Sequence, residues 1–380
     1  MTGRWMAILA ALIGACSLVG CASTPPADRA GTLLVIGGGL DDDNKPVYER
    51  FAELARRAGP PRIVIATAAS GDQDAAAKGK VESLGSWCPG ARVDVIRRET
   101  PTAETVALID GATAMFFTGG DQKRIVDRYR PGGAETDESR AIRRLLARGG
   151  VIAGTSAGAA MMSDVMFHTG RSAEALGIRT TRASAGPDDD PDQRGQPQLG
   201  PQIGPGMALV PWVFTDSHFF ERNRVGRLVA ALEQTGQRLG LGVGEDACVE
   251  IDLSSGELVG TSVAESLLVD VGALRRDGLT RSGARALVIR QGSRVSLPMR
   301  LATAPQATPA RPPGPAQDVP VVEPGQNRQL ASWRLFTRAA VAGGGARVLR
   351  LDGWLIEAWP AGDGESVFTV GPVSAPMSSQ

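Results

Sequence analysis

A serine flanked by glycines is the chain's strongest candidate for nucleophilic chemistry. The pentapeptide Gly154-Thr155-Ser156-Ala157-Gly158 follows the apolar run 151–153 and precedes a stretch of small residues that favours a helix. A strand that turns into a helix at a single residue holds that residue in a strained conformation with its side chain exposed. We therefore predict that Ser156 is a nucleophile and that the amide of Ala157, at the helix start, helps to stabilise an oxyanion. The alternative is a structural serine in a glycine-rich turn.

A serine nucleophile needs a base to take its proton, and histidine is the usual one. The chain has two histidines. His218 closely follows the apolar segment 208–214, which places it at the carboxyl end of a predicted strand, on the same rim as Ser156. His168 lies near the end of the helical region predicted after Ser156, where geometry makes facing the serine difficult. His218 is therefore the predicted base.

The imidazole of His218 needs a third group to orient it, and four acidic residues are candidates: Asp216, Glu221, Glu245 and Asp246. Asp216 is too close in sequence to reach the far ring nitrogen easily. Glu245 follows another short apolar segment that can return to the same rim, so Glu245 is the predicted partner. The order of serine, histidine and acid then differs from that of α/β-hydrolases, which favours a convergent site on another doubly wound sheet.

The elements that must position these residues alternate along the first part of the chain. Apolar strands are predicted at residues 32–36, 63–66, 93–96, 114–117 and 151–153, and helices at 47–58, 74–86, 103–109, 139–147 and 157–162. Continuous apolar strands separated by helices indicate a mostly parallel sheet covered on both faces, which is a doubly wound α/β fold. The glycine-rich junctions 37–39, 119–122 and 154–158 fall at carboxyl strand ends, where ligands bind in such sheets. The first junction does not complete a dinucleotide fingerprint and no Walker lysine follows, so nucleotide binding is disfavoured.

Composition divides the rest of the chain. Residues 184–206 are polar and are predicted to form a long exposed loop, which contains four aspartates between 188 and 192. Residues 208–214 are predicted to form a strand, 224–235 a helix, and 239–301 strands and hairpins. We predict one main domain over 32–301, a Pro/Ala-rich linker over 302–323 and a small C-terminal β appendage or tail over 324–380. Strand candidates in the appendage are 347–359 and 366–370.

The N-terminus has the anatomy of a secretory signal. Arg4 precedes a largely apolar run that is too short to span a bilayer comfortably and that ends in Leu18-Val19-Gly20-Cys21. This ending resembles a bacterial lipobox, which implies a signal peptide over 1–20, a lipid on Cys21 and a linker over 21–31. We expect a lipoprotein anchored to a membrane of the bacterial cell envelope, on the periplasmic or cell-surface side. An ordinary signal peptide or a signal anchor is the alternative.

Charge and composition disfavour several classes of function. The 41 basic and 41 acidic residues cancel, so no overall basic surface is available for nucleic acid. Aromatic residues make up only 4% of the chain, which disfavours the apolar acyl pocket of an esterase or lipase. The sequence has no Cys-x-x-Cys or His-Glu-x-x-His motif, so neither a metal nor a cofactor is expected. Cys88 and Cys248 are predicted to be separate thiols rather than a disulfide.

Four motifs, in order, resemble the signatures of cyanophycinases. These motifs are Thr118-Gly119-Gly120-Asp121-Gln122, Gly154-Thr155-Ser156-Ala157-Gly158-Ala159, Asp216-Ser217-His218-Phe219 with Arg222, Arg224 and Arg227, and Gly244-Glu245-Asp246. Cyanophycinases are serine peptidases related to α-aspartyl dipeptidase, with a class I glutamine-amidotransferase-like (flavodoxin-like) fold. The resemblance covers roughly residues 32–270. It implies a triad of Ser156, His218 and Glu245, oxyanion donors at Gly120 and Ala157, and substrate contacts from Gln122, Asp216, Arg222, Arg224 and Arg227.

The resemblance also implies a substrate. This is cyanophycin, a poly-aspartate backbone with arginine on each side-chain carboxyl, which is cut to β-aspartyl-arginine dipeptides. The chain departs from the family pattern at Ser217, where relatives carry glutamine, and in a longer loop before His218. The alternatives are a related serine peptidase acting on other aspartyl peptides and a non-catalytic envelope lipoprotein that binds acidic ligands. Association as a homodimer stays open.

Charge indicates how such a substrate could be held. Arg222, Arg224 and Arg227 can bind carboxylates bidentately, unless they form a solvent-exposed helix face. The acidic loop 188–192 can meet arginine side chains of the same substrate at the rim, where exposed ion pairs contribute about 0–1 kcal/mol each. The alternative is that this loop is an insertion with no role.

Overall fold

The computed structural model describes residues 31–57, 59–177, 202–304, 308–320, 331–341, 344–351 and 353–373. Cys21, the lipoprotein signal and the acidic loop 188–192, all predicted from the sequence, lie outside these residues. Within the described part of the chain, no helix has the length and apolar character needed to cross a membrane.

Strands and helices alternate through the first part of the chain: β1 (Thr32–Ile36), α1 (Lys45–Arg57), β2 (Arg62–Ala66), α2 (Gln73–Trp87), β3 (Arg92–Ile96), α3 (Thr102–Asp110), β4 (Ala114–Phe117), α4 (Gln122–Tyr129), α5 (Asp137–Ala147), β5 (Val151–Thr155) and α6 (Ala157–Ala160). The later part is richer in strands: β6 (Val165–Thr169), α7 (Ser172–Ala175), β7 (Gln202–Pro205), β8 (Val213–Asp216), α8 (Val225–Thr235), β9 (Leu239–Val243), β10 (Cys248–Asp252), β11 (Glu257–Gly260), β12 (Ser266–Asp270), β13 (Arg275–Asp277), β14 (Thr280–Ile289), β15 (Arg294–Ser296), α9 (Leu297–Ala302), β16 (Gln317–Asp318), α10 (Ala331–Ala339), β17 (Arg347–Leu351), β18 (Trp354–Gly362) and β19 (Glu365–Pro372).

A mostly parallel sheet forms the first layer of the fold. Its strand order is β3-β2-β4-β5-β1, continued by β10, β11 and β15, and the first five strands are mutually parallel. Strands β10, β11 and β15 extend the sheet in antiparallel pairs beyond β1. The register pairs Ile36 with Thr155, so the carboxyl ends of β1 and β5 meet at one edge. That edge is where Ser156 follows β5.

Alternate side chains of the parallel strands pack on opposite faces of this sheet. Leu33 and Val35 of β1 join a core that includes residues of α3, α4 and α5. Leu34 and Ile36 point the other way and join a core with residues of α1 and α2. Side chains that alternate between two buried faces explain why these strands read as continuous apolar runs. The predicted doubly wound α/β fold is confirmed, and the arrangement is consistent with a flavodoxin-like fold.

A second sheet begins with the two strands that precede His218 and Glu245. Its order is β8-β9-β12-β14-β19-β18-β17-β16, with β13 paired to β14. Strands β8 and β9 are parallel, whereas β9, β12, β14, β19, β18 and β17 pair antiparallel. Helices α8 and α10 pack on this sheet in a separate apolar core. The C-terminal β extension therefore continues the same sheet as β8 and β9; the domain bounds drawn from composition stay a prediction.

Two predicted segments differ from the structure, and one helix was not predicted. The segment 208–214 becomes a strand only from Val213, since Ala208 has a positive φ of 52° that breaks an extended run. The segment 347–359 is a hairpin rather than one strand, because Gly353 adopts a φ of 77° between β17 and β18. Helix α4 is not predicted from the sequence; Asp121 caps it by accepting a hydrogen bond from the Lys123 amide.

The two cysteines of the described residues behave as predicted. Cys88 and Cys248 are buried free thiols. Burial raises the pKa of both thiols, so neither has the exposed thiolate character of a reactive cysteine.

Candidate active site

Ser156 occupies a sharp turn between β5 and α6. Its φ of 54° and ψ of −110° lie outside the regions that non-glycine residues ordinarily adopt. The turn is held on both sides: the Ser156 amide donates to the Ile36 carbonyl at 3.0 Å, and the Ser156 carbonyl accepts from the amides of Ala159 and Ala160. A strained serine fixed by the surrounding backbone is typical of a nucleophile elbow.

The glycines on either side of Ser156 let this turn pack tightly. A Cβ on Gly154 would lie 2.1 Å from the Gly158 carbonyl oxygen, and a Cβ on Gly158 would lie 2.6 Å from that of Phe117. Any side chain at either position would collide with backbone, which has little room to move. The motif Gly-x-Ser-x-Gly is therefore a steric requirement of the turn.

His218 and Glu245 reach Ser156 from the second sheet. His218 follows the end of β8 and Glu245 follows the end of β9, so the parallel pairing of these strands brings both to one edge. The Oγ of Ser156 lies 2.7 Å from Nε2 of His218, and Nδ1 of His218 lies 2.8 Å from Oε1 of Glu245. The structure thus brings together the three residues predicted as a triad, in a chain of two hydrogen bonds.

The loop Gly37-Gly38-Gly39 packs against the imidazole of His218 and the side chain of Glu245. The His218 amide donates to the Gly37 carbonyl at 2.7 Å. A Cβ on Gly38, whose φ is 104°, would lie 2.3 Å from Cε1 of His218, and one on Gly39 would lie 3.2 Å from Oε2 of Glu245. The backbone therefore packs directly against both side chains. From the sequence, this loop was interpreted only as an incomplete nucleotide-binding motif. Three glycines directly after a strand also indicate that another part of the protein packs closely against the loop backbone.

Hydrogen bonds from neighbouring loops hold the segment that contains Glu245, the predicted partner of His218. The Glu245 amide donates to Oε2 of Glu221 at 3.0 Å. Asp246, with a φ of 57°, donates its amide to the Gly38 carbonyl at 2.8 Å and accepts at Oδ1 from the Asn44 side chain at 2.8 Å. Glu221 and Asp246, the other acidic candidates near Glu245, thus hold the loops around the predicted partner of His218.

The predicted oxyanion donors lie on two sides of Ser156. Ala157 is buried and follows the serine as the first residue of α6. A Cβ added at Gly119 would lie 3.8 Å from the serine Oγ, which shows how closely the Gly119–Gly120 backbone passes. The amides of Thr118 and Asp121 donate to the carbonyls of Ala66 and Ala69 and fix this segment. Gly120 has a φ of 134°, and a Cβ there would meet the Ala69 carbonyl at 2.2 Å.

The electrostatics of the site favour a neutral imidazole. The pKa of His218 is lowered from 6.5, above all because the ring is buried away from water. The hydrogen bond to Glu245 opposes this shift, whereas the positive charges of Arg222 and Arg224 add to it. An imidazole that is unprotonated at neutral pH is ready to accept a proton from Ser156.

A polar cavity of about 160 Å³ opens beside the serine. Seven of the predicted site residues line it: Gly120, Gln122, Ser156, His218, Arg222, Arg224 and Arg227. The other lining residues, which were not predicted, are Ala160, His168, Thr169 and Ser217. Pockets that hold a whole drug-sized ligand measure about 300–1,000 Å³, so this cavity matches a part of a larger substrate. A larger groove of about 320 Å³ lies away from the serine and is lined by paired charges of the second sheet.

Asp216, predicted to contact substrate, is buried behind the cavity wall. It is 1% exposed, and its carboxylate accepts from the Ser217 amide and from Nε of Arg227 at 2.8 Å. Arg224 lies 3.4 Å from the same carboxylate and donates to the Ser217 carbonyl at 2.8 Å. The protein itself therefore occupies the Asp216 oxygens, and Asp216 holds two guanidinium groups in place. The alternative of a solvent-exposed arginine face is wrong for Arg224 and Arg227, which are 7% and 6% exposed.

The predicted position of His168, near the end of a helical region after Ser156, is wrong. Helix α6 ends at Ala160, and His168 lies on strand β6, which pairs antiparallel with β7. The side chain lines the cavity that contains Ser156. Gln122, from the start of α4, also lines the cavity, and its Nε2 donates to the Phe167 carbonyl at 2.6 Å.

Comparison with known proteins identifies the family. The family model for peptidase family S51 matches residues 33–259, which span β1 to β11 and include Ser156, His218 and Glu245. The chain belongs to peptidase family S51. The S51 match ends inside β11, so β12 to β19 of the second sheet lie beyond it.

Several similar proteins are named cyanophycinase. The cyanophycinase of Nostoc sp. is 30% identical over 236 residues, which cover 59% of this chain and 68% of that protein. The cyanophycinase of Geminocystis herdmanii is 30% identical over 224 residues, which cover 57% of this chain and 72% of that protein. Among solved structures, a peptidase from an acI-B1 Actinobacterium aligns with a TM-score of 0.45 and 16% identity, over 71% of this chain and 98% of that one.

Proposed function

We propose that this S51 chain is a serine-type peptidase with Ser156, His218 and Glu245 as its catalytic triad. The observation that carries the proposal is the pair of hydrogen bonds in series, 2.7 Å from Ser156 to His218 and 2.8 Å from His218 to Glu245. The strained turn at Ser156 and the lowered pKa of His218 support the same roles. A nucleophile, a base and a group that orients the base are the parts that serine acyl transfer needs.

The proposed reaction runs in two halves. Ser156 Oγ attacks the scissile carbonyl while Nε2 of His218 takes the hydroxyl proton, and Glu245 holds the Nδ1 proton and stabilises the imidazolium. The amides of Gly120 and Ala157 are proposed to stabilise the negative charge that develops on the carbonyl oxygen. His218 then gives its proton to the leaving amine, which leaves an acyl-enzyme on Ser156. Water attacks this ester with His218 again as the base, and the serine is released.

The substrate we propose is cyanophycin, which would be cut to β-aspartyl-arginine dipeptides. Three arginines line the cavity beside Ser156, and this positive wall suits a substrate with carboxylates near the scissile bond. The relatives at 30% identity are named cyanophycinases, which supports the same substrate class. A short peptide that contains aspartate offers similar groups and is the substrate to compare.

Product analysis tests this proposal. The unaltered protein would be incubated with cyanophycin and with short β-aspartyl and α-aspartyl peptides, and the products identified by mass spectrometry. We expect β-aspartyl-arginine dipeptides from the polymer, and a loss of turnover by several orders of magnitude in Ser156→Ala, because triad residues act as a unit. Near-normal turnover by Ser156→Ala would contradict the triad. Cleavage of short aspartyl peptides without cleavage of the polymer would contradict only the substrate.

We also propose that the protein is a lipoprotein of the cell envelope, anchored through Cys21. The support is the sequence Leu18-Val19-Gly20-Cys21 at the end of a short apolar run. In Cys21→Ser we expect no lipidation and an unprocessed precursor, since the modified sulfur is lost. Mass spectrometry of the mature N-terminus checks this, and an unmodified Cys21 in the unaltered protein would contradict the anchor.

A further inference from the structure

One wall of the cavity beside Ser156 is built by the hairpin of β6 and β7. The pairing shifts register between Phe167 and Thr169, which leaves His168 as the extra residue of a bulge. Bulges near active sites commonly turn a side chain in a new direction. Gly204 on β7 permits this turn, because a Cβ there would lie 2.5 Å from Cε1 of His168. The imidazole therefore lies against the bare backbone of β7 and lines the cavity.

Two polar atoms of this wall have no partner in the described part of the chain. They are Nε2 of His168 and Oγ1 of Thr169, and both are buried from solvent. Both residues line the cavity that contains the Ser156 hydroxyl. Buried polar atoms are almost always hydrogen-bonded, so two neighbouring exceptions in one cavity wall indicate a ligand that completes them. A buried polar atom without a partner costs stability, and a hydrogen bond from a bound substrate would offset that cost.

The wall is also held firmly in place. The Gln122 side chain donates to the Phe167 carbonyl at 2.6 Å, and Nη1 of Arg227 donates to the Gly170 carbonyl at 2.9 Å. The Arg227 guanidinium also stacks over the Phe167 ring at 4.5 Å. The backbone on both sides of the bulge is thus fixed by residues that themselves line the cavity. A wall that is fixed in this way can position hydrogen-bond donors for a substrate group.

The chemistry of the cavity defines which group it takes. The hydroxyl of Thr169 can donate a hydrogen bond, the imidazole of His168 can donate from Nε2, and three arginines contribute donors with positive charge. The positive charge in the cavity is also felt at His218, whose pKa Arg222 and Arg224 lower. A set of donors with positive charge selects an oxygen anion, and the cavity is too small for more than a side group of a peptide.

We propose that His168 and Thr169 are specificity-determining residues that hydrogen-bond, through Nε2 and Oγ1, to the substrate carboxylate nearest the scissile bond on its acyl side. This inference rests on the proposed function, since it assumes that Ser156 is the nucleophile. The arginines attract the carboxylate, and His168 and Thr169 fix its second oxygen. The preference of the enzyme for a substrate carboxylate over an uncharged group then depends on His168 and Thr169 of β6, which we call the β6 wall, as well as on the arginines.

The test compares two short aspartyl substrates that differ only in whether this carboxylate is free or amidated. We expect amidation to lower kcat/KM of the unaltered protein about 10- to 100-fold, the range for a hydrogen bond to a charged group. Thr169→Val and His168→Leu should each lower kcat/KM for the free carboxylate by about 10-fold, mainly through KM, and should weaken the discrimination. Thr169→Ser and His168→Gln, which keep a donor, should restore most of it. Thr337→Val on α10, outside the cavity lining, is the matched control.

A second readout separates this inference from the proposed function. A fluorophosphonate, which reacts with an activated serine and has no carboxylate to place, is used to label Ser156 in each variant. We expect kcat/KM for the free carboxylate to fall about 10-fold in Thr169→Val and His168→Leu, while the labelling rate stays close to that of the unaltered protein. Normal discrimination in both variants, with Ser156 labelled, would overturn the role of the β6 wall alone. No labelling of Ser156 in the unaltered protein would overturn the proposed function.

Discussion

Asp216 is the acidic residue nearest to His218 in sequence, yet the imidazole pairs with Glu245, 27 positions further along the chain. Ser156, His218 and Glu245 could be found because each follows an apolar run, so strand ends alone predict that they meet. Asp216 could not be assigned in this way, because its partners Arg224 and Arg227 come from the next turn and helix. Only the fold shows that its carboxylate is buried and engaged within the protein. Spacing predicts proximity to a site, but burial decides whether a charge faces substrate.

Arg222 is predicted to tune the pH profile through His218. Its positive charge is one of the causes that lower the pKa of His218 below 6.5. As the proposed base, His218 must be neutral to take the serine proton, so kcat/KM should fall as the pH drops through that pKa. Arg222→Gln removes one lowering influence and should raise the pKa of His218, which moves the acidic limb of the kcat/KM profile to higher pH.

A pH–rate profile of the two proteins measures this shift apart from any loss of substrate affinity. Arg350→Gln, on β17 and outside the cavity lining, serves as the control and should leave the limb in place. An acidic limb that stays in place, or moves to lower pH, in Arg222→Gln would contradict the electrostatic role.

Among the secondary-structure elements, strands bounded by local signals could be predicted, whereas β6, which depends on a distant partner, could not. Strands β1 and β4 match their predicted bounds, because each is a short apolar run that ends at glycine or threonine. Strand β6 was not predicted, because a helical region was expected to continue after Ser156. Its partner strand β7 lies more than 30 residues later in the sequence. A strand defined by a distant partner cannot be recognised from local pattern alone.

Gly38, in the loop after β1, can be substituted to test the close packing around His218. Gly38→Ala would place a methyl group 2.3 Å from the His218 ring at a φ of 104°. The ring must move, and a displacement of about 1 Å at a catalytic group can lower the rate about 100-fold. We therefore expect kcat/KM to fall by about that factor or more, while the protein stays folded.

Gly59→Ala is the matched control for this substitution. Gly59 has a comparable φ of 124°, but no atom lies within 4 Å of an added Cβ in the described residues. Both variants share the backbone strain, so only Gly38→Ala should lose activity beyond its effect on thermal stability. Equal kcat/KM values for the two variants would show that the loop 37–39 does not position the His218 imidazole.

At the scale of the whole molecule, the candidate site joins two sheets. Ser156 follows β5 of the first sheet, whereas His218 and Glu245 follow β8 and β9 of the second. The family match ends in β11, but β9 pairs with β12, and β12 and β14 connect it to the C-terminal hairpin of β18 and β19. We predicted this C-terminal segment to be an appendage or tail. The pairing of β14 with β19 joins residues that are about 80 positions apart, so no local pattern in the sequence indicates it. His218 and Glu245, the proposed base and its acidic partner, thus follow strands of a sheet that the end of the chain completes.

Phe368 offers a test of whether His218 and Glu245 depend on this sheet. It lies on β19, is fully buried, and meets the Phe336 ring of α10 edge-on with centroids 5.1 Å apart. Phe368→Ala leaves a cavity in the core between the second sheet and its helices, which costs about 3–5 kcal/mol of unfolding free energy. If the second sheet is one cooperative unit, the urea midpoint for loss of activity should fall together with the midpoint for loss of structure. Val341→Ala, at a position that is 59% exposed, should change the unfolding free energy by less than about 0.5 kcal/mol. An unchanged activity midpoint in Phe368→Ala, with the C-terminal strands already unfolded, would show that His218 and Glu245 keep their places without them.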